Sequence, residues 1–217
     1  NGYSNEYWGA GYEDYDLLLR CVVKGISVRK ELEIPLVKTY GTFNGTNSYI
    51  EIPSENAKIK NATNKSFTVS AWFCPDGEPP YGAGVDNNRC EYSIFTRPGY
   101  HTGLSYIHGG LLKCVIWVRP FGSSEREPVV IQTPLRTNQW YHVGMIVDDR
   151  EQSLILYVNG KEVGKQQYEG ELIEYLNKPY YIGVGDPDLS VWRNFYKGQI
   201  AEVGLWSDAL KDYEMEL

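Results

Sequence analysis

Residues 140–165 carry the pattern that organises the chain. Two apolar runs, 141–147 and 154–158, flank a polar stretch at 148–153. In the second run Leu154, Leu156 and Val158 alternate with Ile155 and Tyr157, so the two sets point to opposite faces of an extended segment. Asn159-Gly160 separates this run from residues 161–163. An Asn-Gly pair between extended runs predicts a two-residue hairpin, because both central residues must adopt positive φ. Further strands are predicted at 38–44, 49–52, 66–73, 92–96, 104–107, 111–118, 129–133, 180–184 and 195–206 by runs of the same character, with 166–169 as a short additional one. Residues 104–107 and 111–118 are joined by His108-Gly109-Gly110, a turn. The whole predicts an all-β fold: an antiparallel sandwich of roughly a dozen strands in two sheets.

Residues 1–33 break the pattern. A glycine- and aromatic-rich loop at 1–11 leads into a predicted helix that opens at 12–16 and runs to about Lys24. Leu17, Leu18, Cys21 and Val22 fall on one face at helical spacing. Glu13, Asp14 and Asp16 lie in the first turn, where carboxylates complement the helix dipole. Gly25 supplies a stop, and 26–28 an extended exit. Two parts are therefore expected, 1–33 and 34–217.

The chain carries a formal net charge of −7 and has no basic run. That argues against nucleic acid and against an anionic membrane surface as partners. No apolar stretch is long enough to cross a bilayer as a helix. The chain opens on Asn1 rather than Met, which points to an excised piece of a longer protein. The four cysteines fit no zinc spacing. Cys74 and Cys90 either bridge the loop between two predicted strands or remain free thiols. His101, His108 and His142 have no nucleophile partner of the triad kind. No strand offers the facing acidic pair that glycoside hydrolysis requires.

Two loops carry candidate ligands. The long segment 75–88 holds Asp76, Glu78, Asp86, Asn87 and Asn88. Hard cations take several oxygen ligands, so Asp76, Asp86 and Asn87 are candidates for calcium; the other reading is a solvated acidic loop. Ahead of the last predicted strand, Asp186, Asp188, Trp192 and Asn194 set a flat aromatic among carboxylates and an amide. A pyranose asks for that mixture, a ring to stack on and forked acceptors for its hydroxyls. An ordinary turn capped by Asp and Pro is the alternative.

Four motifs in order then bear on family. These are the Phe43-Asn44-Gly45-Thr46 opening with Tyr49 to Ile52, the S-F-T-V-S-A-W-F run from Ser66, the W-Y-H-V-x-x-x-V-D and L-Y-V-N-G-K-x-V pair, and the closing F-Y-K-G-Q-I-A-E-V-G-L-W from Phe195. Together they resemble the laminin G-like, concanavalin A-like jelly roll over roughly residues 36–217. The resemblance implies a lectin-like or adhesive module with a glycan or glycoconjugate partner. Calcium-binding members of that family place Asp where this chain has Asn44 and Ala201, so Asn44 alone offers an oxygen.

The leading stretch N-G-Y-S-N-E-Y-W-G-A-G-Y-E-D-Y-D, followed by K-G-I-S-V, is similar to the carboxy-terminal part of galactosyltransferase-type GT-A enzymes over residues 1–28. It departs from their pattern at Ala10, Tyr12 and Tyr15. The resemblance implies Asp14 as the base on an acceptor hydroxyl, with Glu13 and Trp8 binding the acceptor and a divalent metal elsewhere in the parent transferase. The nucleotide-binding half of such enzymes is not among these residues, so this chain alone is not expected to catalyse transfer. The functional expectation is a non-catalytic carbohydrate-binding module attached to a glycosyltransferase. The alternatives are the acceptor-site portion of such an enzyme, or a protein-interaction module.

Overall fold

The computed structural model describes residues 22–24, 27–29, 39–54, 62–80, 91–98, 102–173, 178–187, 194–211 and 214–215. The described strands are β1 (Val22–Lys24), β2 (Ser27–Arg29), β3 (Tyr40–Asn44), β4 (Tyr49–Ile52), β5 (Phe67–Pro75), β6 (Glu91–Arg97), β7 (Thr102–Ile107), β8 (Leu111–Arg119), β9 (Glu127–Pro134), β10 (Tyr141–Asp148), β11 (Ser153–Val158), β12 (Lys161–Gln167), β13 (Glu171–Leu172), β14 (Tyr180–Ile182) and β15 (Lys197–Trp206). They form two antiparallel sheets. One runs β1-β4-β14-β6-β7-β8-β13 with β9 also on β8, and the other β12-β11-β10-β5-β15-β3-β2. This is the two-sheet, all-β sandwich expected from the alternation.

The core lies between the sheets and follows that alternation. Leu104, Tyr106, Leu112, Cys114, Ile116 and Ile131 face inward from the first sheet, to meet Phe67, Val69, Phe73, Val143, Met145, Leu154 and Leu156 from the second. Burying such side chains contributes roughly 1.5–3 kcal/mol each. The hairpin at Asn159-Gly160 forms as predicted, with φ of 50° and 74° and β11 paired to β12. Outside the second sheet, Met215 packs on Ile146, Ile155 and Tyr157, so the C-terminal segment covers part of that outer face.

Two expectations change and one open alternative is decided. Val22–Lys24 is a strand paired with β4 and not the last turn of a helix. Val22 and Val23 are β-branched, and the free edge of β4 supplies the partners that an isolated turn lacks. The rest of the predicted helix lies outside the described residues. Gln166 and Gln167 do not begin a strand of their own; they are the end of β12, which continues unbroken from Lys161. Cys74 is a buried free thiol, as is Cys114.

β1 and β2 are thus divided between the layers. β1 borders the first sheet through β4, and β2 borders the second through β3.

Candidate functional site

The outer face of the first sheet is where polar side chains gather. Register sets Ser93 opposite Ser105, Ser105 opposite Lys113, and Lys113 opposite Gln132. The next row is Glu91, Ile107, Leu111 and Pro134. On the other side of Lys113, Val115 pairs with Val130, and Trp117 pairs with Pro128. These residues point away from the core because their neighbours in sequence point into it. The polar row of Ser93, Ser105, Lys113 and Gln132 therefore lies between apolar rows, with Glu91 at the β6 end of one of them.

Glu91 is the centre of the polar end. It is 5 % exposed. One carboxylate oxygen, Oε2, accepts from Lys113 Nζ; the other, Oε1, accepts from Asn194 Nδ2 at 2.9 Å. A buried carboxylate is tolerable only when paired and hydrogen-bonded in this way. Both oxygens are engaged, so Glu91 acts as the brace that aims Lys113 and Asn194. Lys113 retains two further N–H donors and Asn194 its amide oxygen. Ser93 Oγ, on the same face, is buried without a hydrogen-bond partner. Two other carboxylates lie on this face among the described residues: Glu51 on β4, with β14 between it and β6, and Glu171 on β13, which pairs with Arg119. Neither makes a facing acidic pair with Glu91.

The loop ahead of β15 is anchored by its backbone. Thr96 Oγ1 donates to Val184 O at 2.7 Å and to Gly185 O at 3.0 Å. Gly183 N donates to Ile94 O, Tyr196 N to Gly183 O, and Ser93 N to Asn194 O. Gly183 takes φ 81°, and a Cβ there would lie 2.3 Å from the Phe43 ring, so the chain turns from the first sheet to the second at a residue that must be glycine. These bonds bring Asn194, at φ 42°, beside Glu91.

Of the sugar-binding residues expected from sequence, Asn194 joins this site. Asp186 is buried and has a polar or electrostatic partner, while Asp188 and Trp192 lie outside the described residues. Trp8, Glu13 and Asp14 also lie outside them, as do Asp86 and Asn87. Asp76 is described, and its carboxylate pairs with Lys197 Nζ at 3.1 Å. The oxygen that Asn44 could offer a cation is already taken: Asn44 Oδ1 accepts from the backbone N–H groups of Thr46, Asn47 and Ser48 at 2.9, 3.0 and 3.2 Å. Among the described residues no three His, Cys, Asp or Glu converge as metal ligands.

Glu91 and Lys113 were not singled out by sequence reasoning. The available signal was two charges lying within apolar runs, each at the parity of the outward set. Nothing in the linear pattern shows that β7 separates their strands so that they meet.

Comparison with known proteins extends this. A family model described as the concanavalin A-like lectin/glucanases superfamily matches residues 44–215. A second, described as the N-terminal domain of galactosyltransferase, matches residues 1–42. No curated protein sequence matches the chain. Among solved structures, the binding domain of Paraclostridial Mosquitocidal Protein 1 is similar at a TM-score of 0.60 and 18% identity, over 90% of this chain and 45% of that one. This chain thus spans less than half of that binding domain. The CBM40 of Ruminococcus gnavus IT-sialidase is similar at a TM-score of 0.60 and 14% identity, over 87% of this chain and 96% of that one. Domain 4 of AbnA, a GH43 extracellular arabinanase from Geobacillus stearothermophilus solved with arabinotriose, is similar at 0.56 and 18%, over 88% and 80%. At these identities the likeness is one of fold.

Proposed function

Because the chain belongs to the concanavalin A-like lectin/glucanases superfamily, we propose that its sandwich is a non-catalytic carbohydrate-binding module attached to a glycosyltransferase. The observation that carries this reading is the pair of side chains that Glu91 braces, Lys113 and Asn194, on a face that also carries Trp117. A sugar presents the same two characters, hydroxyl edges and an apolar C–H face. Asp188 and Trp192, in the loop that ends at Asn194, complete the proposed set. Glycan binding fits the arabinotriose complex of the AbnA domain, and the attachment fits the match over residues 1–42.

Titration calorimetry on the whole chain with an oligosaccharide panel tests the proposal. Lys113→Ala and Asn194→Ala should each weaken binding about tenfold, the equivalent of about 1.4 kcal/mol. Absence of binding to every sugar tried, or two variants that bind as tightly as the parent, refutes it.

The match over residues 1–42 favours a second reading alongside the first. In it Asp14 is the base on the acceptor hydroxyl, and Glu13 and Trp8 hold the acceptor, within an intact transferase. Asp14→Asn in the full-length enzyme should then abolish transfer; unchanged turnover rules the role out.

A further inference from the structure

We propose that the site braced by Glu91 is one end of a track along β8 and β9, which takes a linear, uncharged oligosaccharide and not a single sugar. This rests on the carbohydrate-binding reading of that site, and adds to it the course, length and charge of the ligand.

The course follows from which parts of the outer face are open. In the row through Lys113, Ser93 on β6 and Ser105 on β7 are 0 % and 4 % exposed, so those strands give a ligand no passage. On β9 the outward residues Pro128, Val130, Gln132 and Pro134 are all exposed. From Lys113 the open strip therefore runs along the strands. Towards Leu111 it ends after one row, where β7 turns into β8. In the other direction two further rows follow, Val115 with Val130 and Trp117 with Pro128.

The length follows from strand geometry. Lys113 and Trp117 lie on one face of one strand, four positions apart, which is roughly 13–14 Å at a rise of about 3.4 Å per residue. One pyranose cannot touch both, whereas a chain of about three units can. The rows also differ in kind. Lys113 Nζ and the Gln132 amide meet hydroxyls. Val130, 38 % exposed, and the Trp117–Pro128 pair present apolar surface to the C–H faces of the units that follow.

Charge is compensated at both ends of the strip. Lys113 is paired with Glu91, and Arg119, the next outward position of β8, lies 4.0 Å from Glu171. The outward residues between them are uncharged. A neutral chain fits such a strip, while each carboxylate of a uronate chain would lie over compensated charge or apolar surface. Pro128 and Pro134 deny β9 two N–H donors, so a peptide adding as a strand is poorly served by this edge.

Titration calorimetry of the whole chain with linear galacto-, xylo- and arabino-oligosaccharides of one to six units tests this. In a series that binds, affinity should rise at least tenfold from the monosaccharide to the trisaccharide and then level off. Val130→Asp, at an exposed position, and Trp117→Ala should each remove about tenfold of the trisaccharide's affinity and most of its advantage over the monosaccharide. Lys113→Ala should weaken every length alike. The proposal is overturned by a monosaccharide that binds as tightly as its trisaccharide, by both track variants keeping full trisaccharide affinity, or by trigalacturonate binding as tightly as the neutral trimers. It is equally overturned by a dimer of the free chain that Val130→Asp dissolves, since a second copy then covers the strip. Any of these results leaves sugar binding at Lys113 and Asn194 standing, whereas absence of binding at every length refutes that reading and this one together.

Discussion

Asn194 Nδ2 donates to Glu91 Oε1 at 2.9 Å across 103 positions of sequence. The contact joins the loop before the last strand to the start of β6, and it shares its carboxylate with Lys113. A loop otherwise held by backbone bonds is thereby tied to the outer face of the first sheet.

Removing that carboxylate should be felt in both stability and binding. Glu91→Ala leaves Lys113, whose side chain is 16% exposed, without its counter-charge. Breaking a buried pair from one side costs about 3–5 kcal/mol, less here because Lys113 keeps some contact with water. A loss of about 2–3 kcal/mol is expected, read as a fall in Tm of about 4–12 °C by calorimetry. An unchanged Tm would show that the brace contributes nothing.

His142 gives a pH dependence of known sign. Burial lowers its pKa from 6.5 to about 4, its Nδ1 has no hydrogen-bond partner, and its ring lies 5.3 Å from that of Trp72. The unfolded chain therefore binds the proton more readily than the folded one. The neutral imidazole's contribution is complete above about pH 6.5 and is lost as the pH falls towards 4, by about 3 kcal/mol in all. His142→Phe should flatten that part of the stability–pH curve relative to the parent. Denaturant titrations of both proteins at pH 7 and pH 4.5 measure the difference; parallel curves would exclude His142 as its source.

The division of β1 and β2 between the layers predicts self-association when it is broken. Substituting Pro at both Val22 and Val23 removes an N–H from the β1–β4 ladder whichever residue donates it. β4 is then left as an open edge, the kind of surface that pairs with another chain. Sedimentation velocity should find concentration-dependent dimers or larger species in the variant. A variant that stays monomeric at all concentrations would show that β1 does not protect the edge.

The strands that were legible in the sequence are those with enough alternation or turn chemistry to declare themselves. Leu154, Leu156 and Val158 point inward as their spacing requires, and Asn159-Gly160 turns as its composition requires. β1 was not legible, since Val22 fits a helical stripe with Leu17, Leu18 and Cys21 equally well, and three residues are too few to show a period of two. Its conformation is decided by a distant edge. The site divides in the same way. Asn194 was visible as part of a polar and aromatic loop. Glu91 and Lys113 were not, because their meeting depends on strand order across β7, and local pattern does not encode which strands become neighbours. Asp76 shows the converse: an oxygen donor by type, it is matched by Lys197, which lies far along the chain.

A joint anchored in both layers has mechanical character. Tension applied at Val22 is met by the ladder to β4, and the ladder from β2 to β3 stands directly behind it. A pull entering at β1 is taken up by one plate of the sandwich and, at β2, by the other.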